Sequence, residues 1–172
     1  QQLGMVSYCW HNSQRSFLQG EVPRLVGSRG ADPRRIRHAL DMAGVPCWLD
    51  VQRLGYDGAD GIFDGINEGL TNAQFVVVCV SDEYAASDNC RMEVRHAVKT
   101  LRRPVVVAVV GGTGKSQWQT SEVGLLLSGF PVVDFRDVED EDAVADPGGG
   151  EAETKAEVEG ARGFASKISQ VL

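Results

Sequence analysis

The clearest indication of the fold comes from FVVVCVSDEYAASDNCRMEVRHAVKTL, residues 75–101. Its first part, FVVVCVS (75–81), is an almost unbroken apolar run, which is typical of a strand buried on both faces of a parallel sheet. Segment 88–101 then carries apolar residues at helical spacing, with Asp88 or Asn89 as the candidate N-cap. PVVVAVV (104–110) is another buried strand. A helix between two such strands indicates a parallel sheet covered by helices.

The rest of the chain continues this alternation of strands and helices. Pro33 stands at the first helical position after a capping Asp32, and Gly44 follows the end of that helix. Further strands are predicted in LGMVSY (3–8), VPCWLD (45–50) and FPVVDF (130–135), and further helices in IFDGINEGL (62–70, weakened by Gly65 and Gly69) and in 151–172. The predicted fold class is α/β: a flavodoxin-like, five-stranded parallel sheet with helices on both faces.

Composition places the chain among single globular domains. It has 172 residues, of which 42% are hydrophobic and 24% charged, so we expect one domain over 1–172. Its start, QQLGMVSYCW, lacks an initiator methionine and predicts a fragment of a longer multidomain protein. No run of 18 apolar residues predicts a membrane-spanning helix.

Charge and cysteine spacing narrow the function classes. The net charge of −7 comes from one region, since residues 134–159 hold eleven acids and two bases. Residues 137–160 are therefore predicted to form an acidic, Gly-rich loop before the last helix, and bulk charge gives no reason to expect nucleic-acid binding. The four cysteines form no C-x-x-C pair, which predicts buried thiols in a reducing cytosol and no metal site.

A Gly-rich loop follows the strand at 104–110, in VVVAVVGGTGKS (105–116). A P-loop ending at Lys115 and Ser116 requires an opening glycine at 109, where the chain has Val109. The favoured interpretation is a strand that ends in a Gly-rich loop. Because ligands of such sheets bind at the carboxyl ends of the strands, the loop still lies on the expected functional rim, with Tyr8–His11, Asp50–Gly61 and Ser81–Glu83.

A basic stripe is predicted on the helix at 88–101. Arg91, Arg95, Lys99 and Arg102 recur every three or four residues, as one face of a helix does. The stripe is either a solvated helix face or a basic contact surface for a partner.

The segment SDEYAASDNCRMEV (81–94) resembles a motif of TIR domains, S-x-x-Y-x-x-S-x-x-C-x-x-E. MVSY (5–8) is similar to the first strand of that family, and AGVPCWLD (43–50) to its second. The Gly- and Asp-rich stretch after Asp50 then corresponds to the BB loop. The resemblance has clear anchors from about Leu3 to Val110. It implies the five-stranded fold predicted above.

The resemblance implies two alternative activities, because one branch of TIR domains forms signalling scaffolds and another cleaves the nicotinamide–ribose bond of NAD+. In the enzymatic branch the glutamate that matches Glu93 is catalytic. Nicotinamide leaves as a neutral base, and a carboxylate beside the oxocarbenium-like ribosyl group stabilises its charge. The competing interpretation of Glu93 is an acid that interacts with a helix dipole.

The resemblance also assigns binding residues. Substrate contacts are expected from Tyr8, Cys9, Trp10, Trp48, Ser81, Tyr84, Asn89, Cys90 and Trp118. Trp48 is nearly as well explained as a core aromatic, whereas Trp118, between two glutamines, is less easily explained as core. Asn89 departs from several enzymatic relatives, which carry Trp there. The BB-loop interface is expected at Asp50, Gly55, Tyr56, Asp57 and Gly58.

Two main hypotheses follow. The first is a cytoplasmic NAD+ glycohydrolase in immune or cell-death signalling, which takes NAD+ (or NADP+) as substrate, requires no cofactor and acts as a homo-oligomer of TIR domains. The second is a non-enzymatic TIR adaptor that acts by homotypic contacts. A phosphoacceptor domain is disfavoured because Tyr8, Cys9 and Trp10 stand where that chemistry requires acids.

Overall fold

The protein contains a five-stranded sheet in which every strand pairs in parallel with its neighbours. The computed structural model describes residues 3–9, 12, 33–49, 67–111 and 116–136. The strands are β1 (Gly4–Tyr8), β2 (Cys47–Leu49), β3 (Phe75–Val80), β4 (Val105–Val109) and β5 (Val132–Asp134). Their order is β2-β1-β3-β4-β5. The predicted fold class and sheet order are confirmed, and β1 and β3 flank the point where the order reverses.

Helices connect the strands and cover the sheet. They are α1 (Pro33–Met42), α2 (residues 67–72), α3 (Asp82–Ala86), α4 (Asp88–Arg95, continued by a π-helical turn His96–Thr100), a 3₁₀ turn (Trp118–Thr120) and α5 (Glu122–Leu127). The sequence predicted α1, α2 and α4. It did not predict α3 and α5, because helices of five and six residues are too short to show a 3.6-residue period.

Serine caps explain where the short helices begin. The Ser81 hydroxyl accepts from the Tyr84 amide, and the Ser121 hydroxyl accepts from the Gly124 amide, so each satisfies a donor of a first helical turn. Ser87 does the same for α4 through the Cys90 amide. Among the described helices, none has the length and hydropathy needed to cross a bilayer. The predicted last helix and the acidic loop at 137–160 lie outside the described residues.

The far end of α4 is irregular. The Leu101 amide donates to the His96 carbonyl at 2.9 Å, which closes the π turn. The Arg103 amide then donates to the Ala97 carbonyl at 3.0 Å, and Arg102 between them has φ of 50°. This bond encloses seven residues, one more than the usual six-to-one bond of a C-terminal helix cap, and left-handed Arg102 occupies the position that usually holds glycine.

Two apolar layers cover the sheet, because successive residues of a strand face opposite sides. We call the side that packs against α3, α4 and α5 the α4 face; it takes Met5 of β1 together with Val76, Val78 and Val80 of β3. The α1 face packs against α1 and takes Val6 and Tyr8 of β1, with Phe75, Val77 and Cys79 of β3. Every residue of β3 is buried, as its apolar run predicted.

Two glycines allow aromatic rings to pack tightly. A Cβ at Gly4 would lie 2.3 Å from the Phe75 ring, on the α1 face. A Cβ at Gly69, in α2, would lie 2.4 Å from the Trp48 ring. A glycine inside a helix lowers the stability of the helix. The structure gives the reason for Gly69: the Trp48 ring occupies the space that a larger side chain at this position would fill.

Candidate functional site

The candidate site lies at the carboxyl ends of β1 and β3, on the α4 face. We use this name for Cys9 and Asn12 after β1, Ser81 and Tyr84 after β3, and Cys90 and Glu93 of α4. This edge, next to the reversal of strand order, is where open parallel sheets place their ligands. Within the described residues, no group of three or more His, Cys, Asp or Glu side chains could hold a metal ion.

Glu93 is the only buried carboxylate in the described part of the chain. It lies in the second turn of α4, and its side chain is 8% exposed. Its negative charge raises the pKa of two neighbours, Tyr84 and Cys90, in each case in addition to larger contributions. Burying a carboxylate costs free energy, so a buried carboxylate is expected to have a structural or functional role.

Tyr84 forms part of the floor of the site. Its ring is 0% exposed, and its hydroxyl is 2.6 Å from the hydroxyl of Ser7, a β1 residue that faces the same side of the sheet. Burial raises the pKa of Tyr84 well above its usual value, with Glu93 as the next cause. Tyr84 was predicted to contact substrate; the structure gives it a buried place, where it supports the residues around it.

A pair of thiols joins β1 to α4. The Cys90 thiol donates to the carbonyl of Tyr8 at 3.8 Å. A hydrogen bond with the Cys9 side chain is the largest cause of a raised Cys90 pKa, followed by burial. The Cys90 thiol is therefore protonated at neutral pH, and the two buried side chains act as small packing groups that fix α4 against the end of β1.

Asn12 and Ser81 connect the segment after β1 to the start of α3. The Ser81 hydroxyl donates to the Asn12 side-chain oxygen at 2.6 Å while it accepts from the Tyr84 amide at 3.0 Å. The Asn12 side-chain amide donates to a Glu83 carboxylate oxygen at 3.4 Å. The predicted binding residue Ser81 is thus engaged as a helix cap and as a link to Asn12.

Asp82 holds the segment that follows the Gly-rich loop. One of its carboxylate oxygens accepts from the backbone amides of Gln117 and Trp118, at 2.8 and 2.9 Å. A carboxylate that accepts two amide hydrogens makes a strong, charge-assisted anchor. The 3₁₀ turn therefore begins at a fixed place above α3.

Trp118 differs from its sequence-based interpretation. Its side chain is 8% exposed and belongs to the α4-face core, because the anchored turn directs the ring inward. Its indole N–H has no hydrogen-bond partner within the described residues. A cleft of about 400 Å³ lies beside the ring and is lined by Asp82, Ala85, Ala86, Gln117, Trp118, Thr120 and Ser121.

The structure also places three other predicted residues. The Tyr8 side chain packs in the α1-face core, so only its carbonyl reaches the site. Trp48 packs partly buried against the α4-face core and on Gly69, as its core interpretation predicted. Asn89 is exposed on α4. Trp10 and the BB-loop residues Asp50, Gly55, Tyr56, Asp57 and Gly58 lie outside the described residues.

The basic stripe on α4 is partly neutralised. Arg91 pairs with Asp88 one turn earlier, and Arg95 makes a two-bonded ion pair with Glu122 of α5, at 2.9 Å for each bond. Lys99 and Arg102 are exposed. The first half of the stripe thus serves contacts within the domain, which favours the solvated-face interpretation.

Sequence reasoning gave no individual role to three residues of this edge: Ser7, Asn12 and Asp82, of which Asp82 lies within the predicted rim Ser81–Glu83. Ser7 had a signal, because a hydroxyl inside a buried strand needs a partner. Asp82 also had one, since an acid directly after a strand stands at the functional rim. Asn12 had none, because its partner Ser81 is 69 positions away in the chain.

Comparison with known proteins shows the family of the chain. A family model described as TIR domain matches residues 30–146. Five chains of solved structures match. One comprises the TIR domains of the activated Roq1 resistosome that directly recognises the pathogen effector XopQ; it is 18% identical, with a TM-score of 0.41, over 63% of this chain and 58% of that chain. This chain thus spans less than two thirds of that relative. The comparison with curated proteins found no match.

Proposed function

Because the chain belongs to the TIR domain family, we propose that it is an NAD+ glycohydrolase in which Glu93 is the catalytic residue. The reaction cleaves the nicotinamide–ribose bond and gives nicotinamide with ADP-ribose or a cyclic isomer. NAD+ or NADP+ is the substrate, and no cofactor takes part. The observation that carries the proposal is the burial of Glu93 at the carboxyl edge of the sheet, next to the reversal of strand order.

The chemistry suits a single carboxylate. When the bond to nicotinamide breaks, positive charge develops on the ribosyl group while a neutral base leaves. A carboxylate that is 8% exposed meets little water, so its field on a cation formed beside it is weakly screened. No proton needs to be delivered to the leaving group. Glu93 therefore stabilises the developing positive charge, and the residues around it keep it in place.

The surroundings fix α4 on two sides. The Cys90 thiol bonds to the end of β1, three residues before Glu93. Tyr84, held by Ser7, fills the space beneath the helix. Such fixed positions matter because a preorganised charge stabilises a transition state without reorganising during the reaction.

Assembly and setting complete the proposal. We infer that the domain is active when it self-associates in the cytoplasm as part of immune or cell-death signalling. Asp50, Gly55, Tyr56, Asp57 and Gly58 remain the predicted BB-loop contacts. Trp10, Trp48 and Trp118 remain the aromatic candidates for the walls that hold the dinucleotide.

The test is product analysis by liquid chromatography after concentrated protein is incubated with NAD+ or NADP+. Glu93→Gln should lower nicotinamide release by a factor on the order of 100 to 1,000, because it removes the charge and keeps the shape. Glu122→Gln is the matched control, since it makes the same change at a half-exposed acid that pairs with Arg95 of the helix that carries Glu93. Thermal unfolding verifies that both variants fold.

Two results contradict this function. One is the absence of nicotinamide release at high protein concentration with a crowding agent that favours assembly. The other is release that persists in Glu93→Gln. The ribosyl product distinguishes hydrolysis from cyclisation in the same chromatogram.

A specific observation supports the second candidate, a scaffold that acts by homotypic contacts. Met92 of α4 and Leu125 of α5 are 45% and 77% exposed, and each lies one turn from a member of the Arg95–Glu122 ion pair. If this surface carries the function, Leu125→Asp should abolish self-association measured by light scattering, and Glu93→Ala should leave it unchanged. Monomeric behaviour of the unaltered protein at every concentration contradicts the scaffold.

A further inference from the structure

We propose that the turn at Gln117 and Trp118 is a second wall of the candidate site, in addition to the segment after β1. Ser81, Asp82 and Glu83 then set the width of the site, because they hold both segments on a common support. This inference rests on the proposed function for its substrate, NAD+. It assigns positioning roles to Asn12 and Asp82, which do not act on the reacting bond.

The first half of the support holds Asn12. Ser81 donates to the Asn12 oxygen at 2.6 Å, and Glu83 accepts from the Asn12 amide at 3.4 Å. Both polar ends of one side chain are thus bound by residues two positions apart on α3. The Asn12 backbone amide also donates to the Cys9 carbonyl at 2.9 Å. The chain directly after β1 is therefore fixed both to itself and to α3.

The second half of the support holds the backbone at Gln117 and Trp118. The Asp82 carboxylate accepts from both amides, although these residues are 35 and 36 positions away in sequence. Thr120 and Ser121 donate to the carbonyls of Gln117 and Trp118, at 2.9 and 2.6 Å. The turn is thus closed on itself, and Asp82 fixes it as one unit.

The two halves are coupled because Ser81, Asp82 and Glu83 are consecutive residues at one helix start. The Ser81 hydroxyl caps α3 through the Tyr84 amide, so the residue that holds Asn12 also sets where the helix begins. Tyr84 in turn packs beside Cys90 in the α4-face core. The distance between the two held segments then depends on a short, capped helix start and not on either loop alone.

This arrangement predicts effects on substrate binding and not on bond cleavage. Neither Asn12 nor Asp82 belongs to α4, which carries Glu93. Loss of either anchor should displace one wall of the site and leave the charge at Glu93 in place. A wall displaced by about 1 Å lowers the affinity for a ligand that both walls contact.

The experiment measures NAD+ binding by titration calorimetry in a Glu93→Gln background of the whole chain, where no turnover interferes. Asn12→Ala and Asp82→Ala should each raise the dissociation constant about tenfold. Asp82→Asn keeps one acceptor oxygen and should restore part of the affinity. Glu122→Gln is the control and should stay within about twofold. In the protein that keeps Glu93, Asn12→Ala and Asp82→Ala should raise KM while kcat changes little.

The outcomes separate this inference from the proposed function. Weaker binding in Asn12→Ala and Asp82→Ala supports the inference, even if the unaltered protein releases no nicotinamide and the proposed glycohydrolase is thereby rejected. Unchanged affinity in both variants, or no NAD+ binding by the unaltered protein, overturns the inference. A fall in kcat at constant KM also overturns it. Asn12→Ala removes no core atom, so it remains informative if Asp82→Ala fails to fold.

Discussion

The two faces of the sheet differ in what they bury. The α1 face is a layer of aliphatic side chains, with Phe75, the thiols of Cys47 and Cys79 and the ring of Tyr8. The α4 face or its carboxyl edge holds all three of the described residues that are polar or charged and buried, Ser7, Ser81 and Glu93. The α1 face thus buries mainly apolar side chains, whereas the α4 face also buries polar groups whose removal from water costs free energy.

The two layers differ in the free-energy cost of the side chains that they bury. Burial of apolar surface stabilises both layers in the same way. A buried carboxylate, or a hydroxyl inside a strand, adds no such stabilisation. The free-energy cost of removing these groups from water must be offset by hydrogen bonds to partners. The restriction of these groups to the α4 face agrees with the site proposed there. Pairs of variants that make the same kind of change on each face test this difference directly.

The largest expected effect comes from overpacking, and the two faces should respond unequally. Gly4→Ala places a Cβ against Phe75, which is fully buried on the α1 face. Gly69→Ala places one against Trp48, which is only partly buried and has room to shift. We expect a stability loss of about 3 kcal/mol for Gly4→Ala and about 1 kcal/mol for Gly69→Ala, where better helix propensity offsets part of the strain. Denaturant unfolding measures both, and equal losses would contradict the difference in rigidity.

Neighbouring valines of β3 separate stability from activity. Val77 faces the α1 side and Val78 the α4 side, and both are fully buried. Each change to alanine should cost about 2 kcal/mol in unfolding free energy. Nicotinamide release per folded molecule should fall only in Val78→Ala, because Val78 is paired with Ser7, which holds Tyr84. A similar fall in Val77→Ala would show that the site depends on overall stability alone.

These expectations rest on features that the sequence revealed to different degrees. The sheet was predictable because β3 and β4 are apolar along their whole length, a pattern that requires cover on both faces. Glu93 was selected because its surroundings resemble a TIR-domain motif. Its burial could not be predicted from the sequence, because it depends on contacts such as that of Cys90 with the Tyr8 carbonyl, 82 positions away. The inward direction of Trp118 was missed for the same reason, since it follows from the anchor at Asp82.

The Ser7–Tyr84 bond tests how much the polar pair contributes to the α4 face. Ser7→Ala leaves a buried tyrosine hydroxyl without its partner, which should cost about 2 kcal/mol. The double variant with Tyr84→Phe removes both polar groups and should recover about half of that loss. Thermal unfolding of the unaltered protein, Ser7→Ala, Tyr84→Phe and the double variant gives the coupling free energy between the two residues. If Ser7→Ala is as stable as the unaltered protein, the hydroxyl pair is not a structural element of the site.

The smallest expected effect concerns the end of α4 that lies far from the site. Arg102 is the only non-glycine residue with positive φ in the described part of the chain, at 50°, and left-handed backbone is costly for a residue with a Cβ. Arg102→Gly should therefore raise the free energy of unfolding by up to about 1 kcal/mol, reduced by the greater freedom of glycine in the unfolded chain. Nicotinamide release should not change, because Arg102 lies nine residues after Glu93, beyond the end of the helical segment. Arg102→Ala is the matched control, since it removes the same charge and keeps the Cβ; a gain of equal size in Arg102→Ala would assign the effect to charge instead of backbone strain.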